Sequence, residues 1–156
     1  MKLIGLWKLL HLVFAFSYVG SLVVAEWNSR AARATSDWTQ RALLFDIVHR
    51  SNRTAGLGSL VLLGILGNLV SVQAGYRMAT DAWVRWVNGL WLLAVLGMVL
   101  INLPSTGRLA AAARSATGGH PSEGYEQAMA RWRLGSIVQS ALYLGLLVLM
   151  VFRWRS

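Results

Sequence analysis

The chain has 156 residues, of which 56% are hydrophobic and only 13% charged, with a net charge of +9. That charged share is about half the usual one for a soluble domain. It excludes a disordered chain and an ordinary water-soluble globule, and it points to a protein that uses the bilayer as solvent. The fifteen Lys and Arg residues lie between and just outside apolar runs rather than along one face. That placement suits membrane topology and contact with anionic lipid, and it argues against nucleic-acid binding. There is no Cys, which excludes disulfides, thiolate-held iron–sulfur clusters, CxxCH haem attachment and a thiol nucleophile.

Four apolar runs follow one another, at 3–25, 57–74, 83–103 and 134–152. Each is close to the ~20 residues that an α-helix needs to cross the hydrocarbon layer. Each is apolar on every side, which is the pattern of a span rather than of a surface helix. The reading is therefore all-α: a single-domain integral membrane four-helix bundle, with short interfacial helices in its two long loops. Nothing alternates with period two, so a β-barrel is not expected. Trp7, Trp27, Trp83, Trp86, Trp132 and Trp154 fall at or near span ends, where an indole prefers to sit. The first run is too long for the apolar region of a signal peptide and is read as a span.

The connection 73–82 is short and predicts a tight hairpin, whereas 26–56 and 104–133 are long and carry most of the charge. In the first long loop Asp37 can cap a helix, with Gln40 three residues on. Trp38, Ala42, Phe45 and Val48 recur on one side of it, and Arg41, Arg50 and Arg53 supply a cationic complement for headgroups. In the second, 117–121 reads as a turn and Ser122 as the cap of a helix running into the fourth span. Nine Lys and Arg lie in the long loops and six on the opposite side. The positive-inside rule then puts the long loops in the cytoplasm and both termini outside.

His11 stands out chemically. At 1.5 Å per residue it lies about 4–5 Å from the middle of the first span, and an ionisable residue at that depth is a functional candidate. It can hold the bundle in register through a hydrogen bond, ligate haem iron or copper, or relay a proton. No second His falls inside a span, since His49 and His120 lie in the loops; Met98 and Met150 lie inside spans, as packing or as soft ligands. Asp46 and His49, three apart, read as part of a solvated charged face. Small residues recur every four positions at Gly67, Ser71 and Gly75, at Ser17, Ser21 and Ala25, and at Ser136 and Ser140. Such stripes let helices approach closely, within the bundle or against another subunit. Asn68, Asn88, Gln139 and Tyr143 add hydrogen-bonding groups inside the spans.

The run Leu6-Trp7-Lys8-Leu9-Leu10-His11-Leu12, followed by Val19-Gly20, resembles the first span of small bacterial membrane proteins of the CopD-like and HemJ-like group. Arg131-Trp132-Arg133 and 147–152 are similar to their last span. In the HemJ-type protoporphyrinogen oxidases the first-span His is associated with haem b, so the resemblance implies haem b at His11. A Lys in a later span also matters there, and spans two to four of this chain contain none. The CopD-like members imply copper handling. The expectation from the whole sequence is a multi-pass protein of a bacterial cytoplasmic (inner) membrane. Its expected role is a non-catalytic accessory or scaffold subunit, packed against other membrane-protein subunits or copies of itself. The alternative is a haem-b-binding membrane redox protein with His11 as ligand.

Overall fold

The computed structural model describes residues 2–116 and 120–152. It is an all-α four-helix bundle, with four helices long and apolar enough to cross a membrane. The first is α1 (Lys2–Ala34). The second joins α2 (Trp38–Ser51) to α3 (Leu57–Gln73) through a π turn at Asn52–Gly56. The third joins α4 (Ala82–Gly97) to α5 (Leu103–Arg114) through a π turn at Met98–Asn102. The fourth is α6 (Tyr125–Phe152). Each long helix packs on the next in the chain.

The four apolar runs lie inside these helices, but the helices continue well past them. Thirty-three residues of α1 span about 50 Å at 1.5 Å per residue, against a hydrocarbon layer of about 30 Å. The two long loops thus contribute mainly helical extensions, not the separate interfacial helices expected from the sequence. The α2 helix begins as read, with the Asp37 carboxylate accepting from Thr39 N at 2.8 Å. Gln40 accepts from the Thr35 hydroxyl at 2.8 Å instead of reaching back to the cap. Ala42, Phe45 and Val48 form the buried face as expected, but that face is covered by α5 and α1. Phe45 joins Ala32, Leu109, Tyr125, Met129 and Trp132 in a core of its own. A protein core competes successfully for that apolar stripe because it offers close packing that headgroups do not.

Pro104, the first residue of the long connection expected at 104–133, sits in the first turn of α5. Proline cannot donate to the carbonyl four residues back. The π turn just ahead of it shifts the hydrogen-bond register by one residue, so the helix axis continues. Ser122 does not cap α6 by its side chain; its hydroxyl donates to the Ala112 carbonyl at 3.4 Å, and α6 starts beyond Gly124, at φ +87°. The turn expected at 117–121 falls partly, and Trp154, Arg153 and Arg155 fall wholly, outside the described residues.

Outward faces of the long helices are apolar. Phe16 and Val23 on α1, Ile65 on α3, Leu93 on α4 and Ile137 and Val148 on α6 are all exposed. A water-soluble bundle would carry polar groups there, whereas a bilayer solvates such a surface. At mid-bundle Tyr18, Leu60, Ala94 and Met98 are buried together. There Gln139, fully buried, donates to the Tyr18 hydroxyl and, at 3.2 Å, to the Ala94 carbonyl.

Candidate functional site

Toward the end of the bundle that holds the α3–α4 hairpin, α1, α3, α4 and α6 part around a cleft of about 330 Å³. That volume is at the lower end of the range for small-molecule sites, about 300–1,000 Å³. Its walls are mostly apolar, from Leu63, Val87 and Leu146 among others, with a few polar groups, His11, Asn68 and Asn88 chief among them.

The cleft is built on one face of α3. Glycines at 64 and 67 strip that face of side chains, so groups from neighbouring helices reach its backbone carbonyls. His11 Nδ1 lies 3.0 Å from the Leu63 carbonyl oxygen. A carbonyl oxygen only accepts, so Nδ1 carries the proton and Nε2 presents a lone pair. A Cβ at Gly67 would lie 3.1 Å from His11 Cε1, so the imidazole seats there because residue 67 has no side chain. One turn away Trp91 donates its indole N–H to the Leu60 carbonyl at 2.8 Å. Its ring occupies the space that a side chain at residue 64 would take. Asn68 donates to the Gly64 carbonyl at 2.9 Å and to Asn88 Oδ1 at 2.8 Å. Asn88 in turn donates to the Val84 carbonyl at 2.9 Å.

The residues singled out from the sequence are distributed as follows. His11, Gly67, Ser71, Asn68, Asn88 and Met150 line the cleft. Gly75 does not continue the Gly67–Ser71 stripe. It follows the end of α3 at φ +86°, where Gly75 N donates to Val72 O at 3.1 Å and Tyr76 N to Ser71 O at 3.0 Å. That pair of bonds is a Schellman cap, which favours glycine because L side chains rarely adopt its left-handed backbone. Ser17 and Ser21 turn toward the start of α3: the Ser59 hydroxyl donates to Ser17 Oγ at 2.8 Å. Ser21 is buried where a Cβ at Gly56 would lie 3.3 Å from its Oγ. Met98 is buried in the mid-bundle core. His49 is 3.2 Å from the Thr106 hydroxyl, while Asp46 pairs with Arg50 at 2.9 Å and Arg114 at 3.6 Å; these belong to the charged end of the bundle. His120 is exposed.

Trp91 and Gly64 are part of the site and were not singled out. The available signal was position: Trp91 lies in the middle of its span rather than at an end, and an indole N–H buried in hydrocarbon must find an acceptor. Among the described residues no group of three or more His, Cys, Asp or Glu side chains is gathered to hold a metal ion. Any metal centre at His11 would therefore have to bring most of its own ligands, as a haem iron does. Comparison with models of protein families, with curated proteins and with solved structures finds no match.

Proposed function

We propose that this chain is a four-span membrane subunit whose ligand site is the His11 cleft, and that haem b is the ligand. The observation that carries the reading is the Nδ1–H bond from His11 to the Leu63 carbonyl. Histidines that ligate metals characteristically donate their other ring N–H to a backbone carbonyl or carboxylate, which fixes the tautomer and raises the basicity of the ligating nitrogen. The surroundings fit a haem in kind. His11 Nε2 would ligate the iron, the apolar walls and Trp91 would face the macrocycle, and Lys8, one turn before His11 on the cleft rim, would pair with a propionate. The cleft is not enclosed, so a macrocycle need not be contained in its volume. When bound, haem supplies one-electron transfer. The chain's own residues hold and orient it, and the cytoplasmic-membrane location with both termini outside goes with the same proposal.

The experiment is a pyridine haemochrome assay on protein purified from membranes in mild detergent. About one haem b per chain, lost in His11→Ala while the folded yield is kept, is the expected result. Wild-type protein that carries no haem and takes none up would remove the reading.

A second reading, an accessory subunit without a ligand of its own, is favoured by Gly20 on α1 and Gly58 on α3. Both are exposed, with open space where a Cβ would be. Outward glycines let a neighbouring membrane helix approach closely. Gly20→Leu and Gly58→Leu should then change the oligomeric mass in detergent without touching the His11 cleft. An unchanged mass would leave these faces to lipid.

A further inference from the structure

Two exposed tryptophans mark where the hydrocarbon layer ends, independently of what His11 holds. Trp27 on α1 is 73% exposed and Trp86 on α4 is 68% exposed. An indole that faces outward on a membrane helix settles at the headgroups. Packing contacts give the distance between the two along the bundle. Ser21 lies beside Gly56, and Ala32 shares a core with Phe45, so Trp27, between them on α1, stands level with His49 and Arg50. His49 in turn is 3.2 Å from the Thr106 hydroxyl. Trp86 and Thr106 belong to one long helix and are twenty residues apart. That is about 30 Å at 1.5 Å per residue, the thickness of the hydrocarbon layer.

The arginines at that boundary fall into two groups. All six carboxylate side chains of the chain are among the described residues. Glu26 holds Arg30 and Arg33, and Asp46 holds Arg50 and Arg114. Asp37 caps α2, and Asp81 accepts from the Arg77 backbone N–H in the far hairpin at 2.6 Å. Glu123 and Glu126, at the entry to α6, lie a turn or more farther from the hydrocarbon than Arg131. Arg41 stacks on Trp38. Arg53, Arg108, Arg131 and Arg133 remain: they are exposed and make no ion pair or side-chain hydrogen bond among the described residues.

These four come from three helices but share one height. Gly56 lies beside Met98 and Asn102 beside Gly135. Across antiparallel helices that register sets Arg53 level with Asn102, and Arg133 and Arg131 level with the first turn of α5. With Arg108 they fall within about 9 Å of one another along the bundle at 1.5 Å per residue, around the height of Trp27. A guanidinium at a headgroup boundary without a carboxylate is matched by phosphate, whose oxygens accept from its planar fork of N–H groups. We propose that Arg53, Arg108, Arg131 and Arg133 form a contact zone for anionic phospholipid at this end of the bundle. A zwitterionic lipid brings its own cation and gains less there. Arg30 and Arg50 contribute little, because a carboxylate beside each cancels most of its attraction for phosphate.

The test uses the full-length protein in phosphatidylcholine bilayers that contain a trace of spin-labelled lipid, read by electron paramagnetic resonance. Labelled phosphatidylglycerol is expected to be immobilised at the protein surface in larger proportion than labelled phosphatidylcholine. The difference should shrink as sodium chloride is raised, because the charges are exposed. Arg53→Gln combined with Arg133→Gln should lower the preference by up to about fivefold for each arginine lost. Arg30→Gln combined with Arg50→Gln removes the same charge and should leave the preference close to wild type. Wild type that holds both lipids equally, or equal losses in the two double variants, would overturn the proposal. So would sodium phosphate that abolishes the preference at an ionic strength where sodium chloride does not, since the zone would then take free phosphate. Because the wild-type comparison decides by itself, a variant that fails to fold does not shelter the proposal.

Discussion

His11 and Gly67 meet across the interface of α1 and α3, with the imidazole seated where a side chain at residue 67 would otherwise project. The ideal Cβ at Gly67 would stand 3.1 Å from His11 Cε1, closer than ordinary van der Waals contact, and 3.4 Å from Nδ1. Gly67 is also four residues after Leu63, whose carbonyl accepts the His11 N–H at 3.0 Å. One missing side chain therefore gives the ring both its space and its acceptor.

Gly67→Ala should push the imidazole away from α3 by a few tenths of an ångström and weaken the bond to Leu63. The expected outcome is reduced haem occupancy with near-normal folding, read as the haem-to-protein ratio beside the melting temperature. Gly67→Leu should abolish occupancy. A Gly67→Leu protein that retains its full haem complement would show that the ring does not need this seat.

At Gly64 the neighbour is the Trp91 indole, held by its bond to the Leu60 carbonyl at 2.8 Å. A methyl group there displaces a ring packed against backbone, so Gly64→Ala should cost about 1–3 kcal/mol, the usual range for overpacking. Thermal unfolding in detergent, with tryptophan emission as a second probe, measures it. Stability within error of wild type would mean that Trp91 repacks freely.

Asn68 and Asn88 pair side chain to side chain at 2.8 Å across α3 and α4. A double-mutant cycle with Asn68→Ala and Asn88→Ala should return a coupling of about 0.6 kcal/mol and no more than about 1.7, the range found for hydrogen bonds inside membranes. Additive single effects would show that the pair does not hold the α3–α4 side of the cleft together.

Much of this was legible in the sequence, for identifiable reasons. The four spans were visible because their residues must be apolar on every side to face lipid, and the exposed Phe16, Ile65, Leu93 and Ile137 show that constraint at work. The buried stripe of α2 was visible as a helical period ending at Val48. What covers it was not, because the partners Leu109, Tyr125 and Trp132 are far along the chain. The apolar run stops at 103 while the helix continues through Pro104, because the π turn ahead of the proline accommodates it and has no sequence signature strong enough to read. Gly75 misled for a related reason: a spacing of four continues past a helix end as easily as within it, and only the Schellman bonds distinguish the two. At the site His11 and Gly67 each stood out alone, while their meeting depends on the register of α1 against α3.

The topology carries its own test, made simple by the absence of Cys. Thr80, in the exposed α3–α4 hairpin, and Ser36, between α1 and α2, are both exposed and lie at opposite ends of the bundle. Single cysteines at these positions should react with an impermeant maleimide from opposite sides of the membrane, Thr80→Cys from outside intact cells. Labelling of both from one side would contradict four spans, and Ser36→Cys alone labelling from outside would invert the orientation expected from the Lys and Arg distribution.

The most direct measurement of the central claim is a haemin titration of the protein in mild detergent, followed by absorption. Wild type and His49→Ala should develop the same saturable Soret band near one equivalent, because His49 is engaged with Thr106 at the other end of the bundle. His11→Ala should show only the spectrum of detergent-dissolved haemin. A saturable band that survives in His11→Ala, or none in wild type, would contradict the account.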